Sequence, residues 1–247
     1  MISLNEKKYA IVTGCGSGIG KEIANRLCKK GICVFGLDIE KADEKFMSFV
    51  CDVSDENQVK NILEKISKQT SYINYLVNAA GMLTIGQPLA IKDMSIKQWD
   101  AIMRINLRSV VIMIKQTYPY MKDIHDASIV NISSEQVYNP DKCFSPYVTS
   151  KAGINMLTVS AAKEFLSDGI RVNAVALGTV KTNILKSLPI DSKQEDSMYE
   201  SKDNTIPFGI IELQSVYNVV NFLLSKESKY ITGEIIRCDG GMFLGKE

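Results

Sequence analysis

Tyr147 and Lys151, four residues apart, are the pair in this sequence best suited to acid–base chemistry. On a helix this spacing places both side chains on one face. An unperturbed tyrosine, with a pKa of about 10, is a poor base at neutral pH, but a nearby ammonium stabilises the phenolate and lowers that pKa. Such a tyrosine accepts a proton when an alcohol is oxidised and returns it when a ketone is reduced. The same spacing is also typical of solvated helix faces.

Ser134 lies 13 residues before Tyr147 and two residues after an apolar run at 129–132. At the end of a strand its hydroxyl can hydrogen-bond a substrate oxygen and hold it against Tyr147. A serine in this position can equally cap a turn. The hydride chemistry of such a reaction belongs to a cofactor, so the sequence should also carry a cofactor site.

A glycine-rich turn, with Gly14, Gly16, Gly18 and Gly20, follows the first apolar run at 9–13. Glycines let the backbone turn sharply and a phosphate approach closely, and the free N–H groups of the next helix then face the anion. Neither the general G-x-G-x-x-G pattern nor the phosphate loop of nucleotide triphosphatases matches. On these glycines alone, a connector without a ligand stays open.

Asp38 ends the second apolar run, 24 residues after Gly14. A carboxylate there accepts hydrogen bonds from both ribose hydroxyls of an adenosine and repels a 2′-phosphate. No Arg or Lys lies inside the glycine turn. The sequence therefore predicts NAD over NADP, although Lys41 keeps that preference open and Asp38 could also form a strand-end turn.

Short apolar runs alternate with helical patterns along the chain. Predicted strands cover 9–13, 32–37, 46–53, 73–77, 129–132, 170–176 and 234–238. Predicted helices are marked by Ile19, Ile23 and Leu27, by Val59, Ile62, Leu63 and Ile66, and by patterns over 95–121, 146–166 and 214–224. This alternation predicts an α/β fold, a doubly wound sheet of about seven parallel strands with helices on both faces.

The length of 247 residues predicts one domain over 1–247, and the net charge of +1 argues against nucleic-acid binding. No apolar run is long enough for a membrane span and no signal peptide is recognisable, so we expect a cytoplasmic protein without a membrane partner. Six scattered cysteines and the single His125 predict buried thiols in a reducing compartment and no metal site.

A polar segment rich in Ser, Lys, Asp and Glu covers 185–203, between the sixth strand and the last helix. Open α/β sheets bind ligands at the carboxyl ends of their strands, and connecting loops there often carry function. We therefore expect residues 183–210 to form a substrate lid. A surface insertion is the alternative.

Taken together, these residues resemble the short-chain dehydrogenase/reductase family in its single-domain form. Thr13-Gly14-x-x-x-Gly18-Ile19-Gly20 resembles the family's cofactor loop, and Asn78-Ala79-Ala80-Gly81 its Asn-Asn-Ala-Gly motif. Tyr147-x-x-x-Lys151, with Ser134 upstream, and the helix asparagine Asn106 match as well. Tyr230–Glu234 and Asp239-Gly240-Gly241 resemble its C-terminal stretch. Each motif alone is weak, and their joint order carries the resemblance.

The resemblance implies a Rossmann-type fold, a homotetramer, and catalysis by Asn106, Ser134, Tyr147 and Lys151, with Asn106 anchoring a water that relays protons to Lys151. It implies NAD binding by Gly14, Cys15, Gly16, Ser17, Gly18, Ile19, Gly20, Asp38, Asp52, Val53, Asn78, Ala79, Ala80, Gly81, Tyr147, Lys151, Gly178, Val180 and Thr182. Asp52 and Val53 would meet the adenine edge, and Ser54 is also a good helix N-cap.

Two positions depart from the family pattern. Leu177-Gly178 stands where Pro-Gly is frequent, which is expected to loosen that turn, and Glu135 follows Ser134 where small residues are common. Glu135 and Tyr138 indicate a polar substrate.

The function expected first is an oxidoreductase that transfers hydride between NAD(H) and an alcohol or ketone, with sugars, polyols and hydroxy acids among its possible substrates. The alternatives are a 3-oxoacyl-thioester reductase, whose relatives commonly use NADP, and a non-catalytic dinucleotide sensor.

Overall fold

The computed structural model describes residues 7–42 and 45–245. Within these ranges seven strands form one parallel sheet in the order β3-β2-β1-β4-β5-β6-β7. The strands are β1 (Tyr9–Thr13), β2 (Cys33–Asp38), β3 (Met47–Val50), β4 (Tyr75–Asn78), β5 (Ser128–Ser134), β6 (Arg171–Leu177) and β7 (Ile235–Cys238). The predicted doubly wound sheet is confirmed. Its strand order reverses between β1 and β4, and in such sheets a ligand binds at the carboxyl ends of the strands beside that point.

Helices cover both faces of this sheet. They are α1 (Gly18–Lys29), α2 (Glu56–Ser67), α3 (Ile96–Met103), α4 (Ser109–Thr117), α5 (Ser145–Glu164), α6 (Ser192–Thr205) and α7 (Leu213–Leu224). Apolar side chains of α2, α4 and α5 pack on one face, and those of α1 and α7 on the other. Every residue of β5 and β6 is buried. These central strands therefore support the side chains that lie at their carboxyl ends.

The third strand is shorter than the sequence predicted. Asp52 accepts hydrogen bonds from the backbone N–H and the hydroxyl of Ser54, at 2.9 and 2.7 Å, and this turn leads the chain off the sheet. The prediction that Ser54 caps the following helix is wrong: Asp55 is the N-cap of α2 and accepts from the N–H groups of Asn57 and Gln58.

The helix predicted over 95–121 is interrupted. A π-helical turn, Arg104–Arg108, separates α3 from α4, and a 3₁₀ turn at Tyr118–Tyr120 follows α4. The extra residue of a π turn shifts the side chains that come after it, and such turns are frequent at functional sites. Asn106 lies inside this turn and is fully buried.

The polar segment is ordered into a short 3₁₀ helix, Asn183–Ser187, and α6. A capping box between Asp191 and Gln194 begins α6, and within that helix Tyr199 is buried. In the described ranges no helix is both long and apolar enough to cross a membrane.

All six cysteines are described, and none of them forms a disulfide. Cys15 and Cys51 are buried, as expected, but Cys143 is exposed in the loop before α5, so the prediction of uniformly buried cysteines is wrong. Among the described residues no cluster of His, Cys, Asp and Glu is placed to hold a metal ion.

Candidate active site

The glycine turn is packed too tightly to accept side chains at two positions. Gly14 has a φ of +70°, and a Cβ there would lie 2.9 Å from the backbone of Ala80. A Cβ on Gly20 would lie 2.2 Å from the carbonyl oxygen of Gly14. The hydroxyl of Thr13 accepts from the N–H groups of Ala79 and Ala80, at 3.0 and 3.1 Å. The ends of β1 and β4 are therefore joined where the strand order reverses.

Asp38 lies at the edge of this turn. One carboxylate oxygen accepts from the N–H of Gly16 at 2.8 Å, and the other from the N–H of Glu40 at 3.1 Å. A Cβ on Gly16 would lie 3.0 Å from the carboxylate. A narrow glycine-lined cradle at the start of α1, with a carboxylate beside it, fits the phosphates and adenosine ribose of a dinucleotide.

Three of the residues expected to bind the cofactor have side chains already engaged in the protein. Cys15 is fully buried, and its thiol faces Gly36. The Asp52 carboxylate contacts Ser54 and lies 3.3 Å from Arg104. The Asn78 amide donates to Asn131 at 2.8 Å inside the sheet. At these three positions the backbone, rather than the side chain, is available to contact a ligand.

A cavity of about 170 Å³ lies at the carboxyl ends of β4, β5 and β6. It brings together residues that are far apart in the sequence. The predicted residues lining it are Ile19, Ala79, Gly81, Ser134, Tyr147, Lys151, Gly178, Val180 and Thr182. Five more lining residues belong to the segment 183–210 that the sequence predicted to cover the substrate: Ile184, Leu185, Met198, Tyr199 and Lys202. Sequence reasoning did not single out Leu83, Gln136, Asp141 and Phe144.

Tyr147 and Lys151 occupy the buried side of this cavity, exposed by 7% and 5%. The Lys151 ammonium lies 5.7 Å from the centroid of the Tyr147 ring and donates to the carbonyl of Ile132 at 2.8 Å. Burial lowers the pKa of Lys151 to about 8. Burial raises the pKa of Tyr147, and the charge of Glu135 adds to the rise, while a hydrogen bond with Ser134 opposes it. In the free protein the surroundings of Tyr147 therefore favour the protonated phenol.

The side chain of Asn106 holds the loop after β4. Its amide donates to the Met82 carbonyl at 2.9 Å and to the Ser150 hydroxyl at 3.1 Å, and its oxygen accepts from the Met82 N–H at 2.9 Å. A Cβ on Gly81 would lie 3.3 Å from that oxygen and 3.6 Å from the Lys151 nitrogen. Gly81 therefore lies close to both Asn106 and Lys151, and Asn106 fixes the adjoining residue Met82. The water relay expected of it stays a prediction.

The turn after β6 is held by its neighbours although it lacks proline. Gly178 donates its N–H to the carbonyl of Cys238 at 3.0 Å, and a Cβ there would lie 2.8 Å from Asp239. Val180 forms a β-bridge with Ile211. Contacts with the end of β7 therefore hold this turn, and the loosening expected from the missing proline stays a prediction.

The second departure, Glu135, is a buried carboxylate in the cavity wall, 3% exposed. Burial raises its pKa to about 7, the charge of Asp141 adds to the rise, and Lys202 opposes it. Tyr138, expected to mark a polar substrate site, does not line the cavity; it packs against Phe243 with ring centroids 5.9 Å apart. The expectation for Tyr138 is therefore wrong.

Glu135→Gln is expected to stabilise the protein at pH 8 more than at pH 5. The carboxyl has a pKa of about 7 when folded and 4.5 as its ordinary value, so the folded state retains a proton that the unfolded state loses. Glu135 therefore weakens folding progressively as the pH rises through this window. The full effect above pH 7 is about 3 kcal/mol, measurable by denaturant unfolding. The exposed Glu64→Gln is the control, and an equal gain at both pH values would contradict this account.

A family model described as short chain dehydrogenase matches residues 8–193. The chain belongs to this family. The short-chain dehydrogenase is 34% identical to the 3-oxoacyl-[acyl-carrier-protein] reductase FabG of Thermotoga maritima, over 97% of the chain and 99% of the relative. It is 33% identical to the enzyme of that name from Buchnera aphidicola, over 97% and 98%. The solved aldohexose dehydrogenase of Thermoplasma acidophilum matches with a TM-score of 0.88 and 35% identity, over 96% of this chain and 94% of that one.

Membership makes this short-chain dehydrogenase an oxidoreductase that uses a nicotinamide dinucleotide and acts on small-molecule substrates. The predicted family is confirmed. The named relatives act on different substrates, so the substrate has to be argued from this chain's own cavity.

Proposed function

We propose that this short-chain dehydrogenase interconverts a ketone and a secondary alcohol with NAD(H), and that Tyr147 is its general acid and base. The observation that supports this is the meeting of Ser134, Tyr147 and Lys151 in one buried cavity. Asp38, at the edge of the glycine turn, supports NAD(H) over NADP(H), because its carboxylate binds ribose hydroxyls and repels a 2′-phosphate.

A nicotinamide held at this cavity would supply or accept the hydride. In the reducing direction the Ser134 hydroxyl holds the substrate oxygen, and Tyr147 gives it a proton. Lys151 stabilises the phenolate that remains, because an ammonium next to a phenol favours its ionised form. Its bond to the Ile132 carbonyl, at 2.8 Å, keeps the ammonium in place. In the oxidising direction the phenolate takes the proton back.

Two substrate classes have specific support. The curated relatives, matched over nearly their full lengths, are 3-oxoacyl-[acyl-carrier-protein] reductases, which supports a 3-oxoacyl thioester. The buried carboxylate Glu135 in the cavity wall supports instead a polar, hydroxyl-bearing substrate.

The test is a cofactor absorbance assay with NADH and NADPH against acetoacetyl thioesters of acyl carrier protein and coenzyme A, and against simple and hydroxylated ketones. We expect oxidation of the reduced cofactor with at least one of these. Cofactor binding without turnover of any of them would favour the dinucleotide sensor.

We also propose that residues 183–210 act as a lid over the substrate. The segment is attached on two sides of the cavity. The Tyr199 hydroxyl donates to the Thr182 carbonyl at 2.9 Å and accepts from the Thr182 N–H at 3.2 Å. Lys202 pairs with Asp141 at 3.2 Å. These contacts hold α6 against the cavity mouth, where a lid excludes water from the reaction.

We expect a homotetramer, with a mass about four times the 27.4 kDa of the chain. Val110 and Ile114 are buried in the core, but Val111, Met156 and Val159 on α4 and α5 are exposed by 42%, 67% and 38%. Met156 and Val159 are three residues apart on α5 and so share one face of that helix, and an exposed apolar patch favours association. Light scattering should show the tetramer mass and a lower mass for Met156→Lys.

The control for this experiment is Ile91→Lys, which changes an equally exposed apolar residue outside α4 and α5. A monomeric mass for the unmodified protein would remove the tetramer proposal.

A further inference from the structure

Two hydrogen-bond acceptors on one wall of the cavity have no partner among the described residues: Oε2 of Glu135 and Oε1 of Gln136. Both atoms are buried, and both side chains line the cavity beside Ser134 and Tyr147. Resting on the proposed function, we infer that this wall selects a polyhydroxylated substrate, a polyol or sugar whose second hydroxyl lies next to the carbon that reacts.

The burial of these acceptors is costly unless something satisfies them. A buried polar atom without a hydrogen bond loses its hydration and gains nothing in return. Glu135 is 3% exposed, so bulk water does not solvate it freely. Native structures leave few such atoms unpaired, and the exceptions call for an explanation. A ligand hydroxyl donating into the cavity provides one.

The orientation of Gln136 follows from its neighbour. The Nε2 of Gln136 donates to the Asp141 carboxylate at 3.1 Å. A carboxylate only accepts hydrogen bonds, so the amide nitrogen of Gln136, which donates, must be the atom that faces it. The amide oxygen must therefore point away from Asp141. That oxygen is the second unpartnered acceptor.

The wall lies close to the reacting atoms. Glu135–Val137 is a 3₁₀ turn that begins directly after Ser134, and the Gln136 N–H donates to the Ser134 hydroxyl at 3.2 Å. Glu135 and Gln136 line the same cavity as Ser134 and Tyr147. We therefore expect a substituent on the carbon next to the bound substrate oxygen to reach this wall.

The donors and acceptors that line the cavity favour a hydroxyl group on the substrate over an ammonium group. Lys202, paired with Asp141 at 3.2 Å, lines the same cavity, and its positive charge opposes a second cation. A hydroxyl both donates and accepts, whereas an ammonium only donates. Glu135 and Gln136 supply acceptors and Lys202 supplies a donor, which is the combination that a neutral polyol satisfies.

The test compares substrates that differ by one hydroxyl. The probes are 1,2-cyclohexanediol against cyclohexanol with NAD, and 2-hydroxycyclohexanone against cyclohexanone with NADH. A site built to bond a hydroxyl discriminates strongly against the analogue that lacks it. We expect kcat/KM to be higher for the hydroxylated member by on the order of 10²-fold, the effect of one hydrogen bond to a charged acceptor, and Glu135→Val to bring that ratio close to one.

The pH profile of Glu135→Gln is a second test, because replacing a residue with a purely structural role would not shift that profile. Besides Tyr147, the groups facing Glu135 are Asp141, Lys202 and Asp239. Because the carboxylate raises the pKa of Tyr147, removing its charge should shift the pH profile of alcohol oxidation to lower pH. The control, Asp126→Asn, removes one negative charge outside the cavity, where Asp126 pairs with Lys226 at 3.2 Å, and should leave the profile unchanged.

The outcomes separate this inference from the proposed function. The inference is wrong if the protein turns over cyclohexanone or an acetoacetyl thioester as fast as the hydroxylated ketone or faster, and if Glu135→Val leaves the ratio of the kcat/KM values unchanged. The oxidoreductase proposal stands in that case. A protein that binds NAD(H) but turns over no ketone or alcohol overturns the proposed function and this inference with it. A ratio that falls in Glu135→Val, together with the pH shift in Glu135→Gln, supports the hydroxyl site.

Discussion

Replacing Tyr147 by phenylalanine is expected to lower kcat by about 10²–10⁴-fold, the range typical of losing a general acid–base group. The change removes one oxygen atom and keeps the ring that packs in the buried cavity, so the fold and the cofactor cradle should persist. Steady-state rates in both reaction directions measure the loss, and calorimetric titration with NADH should show that the variant still binds the cofactor.

The matched control is Tyr72→Phe, which removes a tyrosine hydroxyl that donates to the Lys7 carbonyl outside the cavity. Its kcat should equal that of the unmodified protein. Full turnover by Tyr147→Phe would remove Tyr147 from the mechanism, and a reaction carried by another group in the cavity would have to replace it.

Replacing Asp38 by alanine is expected to weaken NAD(H) binding about tenfold to a hundredfold. Hydrogen bonds to a charged acceptor contribute about 1.5–3 kcal/mol each, and 1.4 kcal/mol corresponds to a factor of ten in affinity. The same change should strengthen NADP(H) binding, because the carboxylate no longer repels the 2′-phosphate. Parallel calorimetric titrations of the unmodified protein and the variant with all four nucleotides measure both effects.

Asp38→Asn separates the charge from the support that Asp38 gives to the turn. Asparagine keeps one oxygen that can accept from the Gly16 N–H, a bond of 2.8 Å in the unmodified protein, but it carries no charge. It should therefore relax the discrimination against NADP(H) with a smaller loss of NAD(H) affinity than Asp38→Ala. If the unmodified protein prefers NADP(H), the role argued for Asp38 is wrong, and 3-oxoacyl thioester reduction becomes the leading proposal.

Local patterns in the sequence were sufficient to predict the order of the seven strands and of most helices, but not α6, which lies in the polar segment. The central strands were recognisable as short apolar runs, because strands buried on both faces carry few polar residues. The edge strand β3, which is not buried, was predicted too long. The glycine turn and the four-residue spacing of Tyr147 and Lys151 were also predictable, since each depends on backbone geometry within one turn or one helix.

The interruption of the helix at Asn106 was not predictable from periodicity. The apolar pattern of 95–121 continues through the π turn, and one extra residue hardly changes that pattern. What favours the turn is tertiary: the Asn106 side chain bonds Met82 and Ser150, 24 and 44 residues away in the sequence. The N-cap of α2 at Asp55 rather than Ser54 has a similar origin, because Ser54 is buried beneath Asp52 and Arg104.

The chemistry of the cavity wall was likewise decided by the tertiary structure. The sequence by itself determined that a carboxylate follows Ser134 and that a polar segment lies before the last helix. Folding decided that Glu135 is buried and that Lys202 reaches Asp141, 61 residues away. Burial, pairing and a shifted pKa depend on which groups surround a side chain in space, and residues distant in the sequence supply most of those groups.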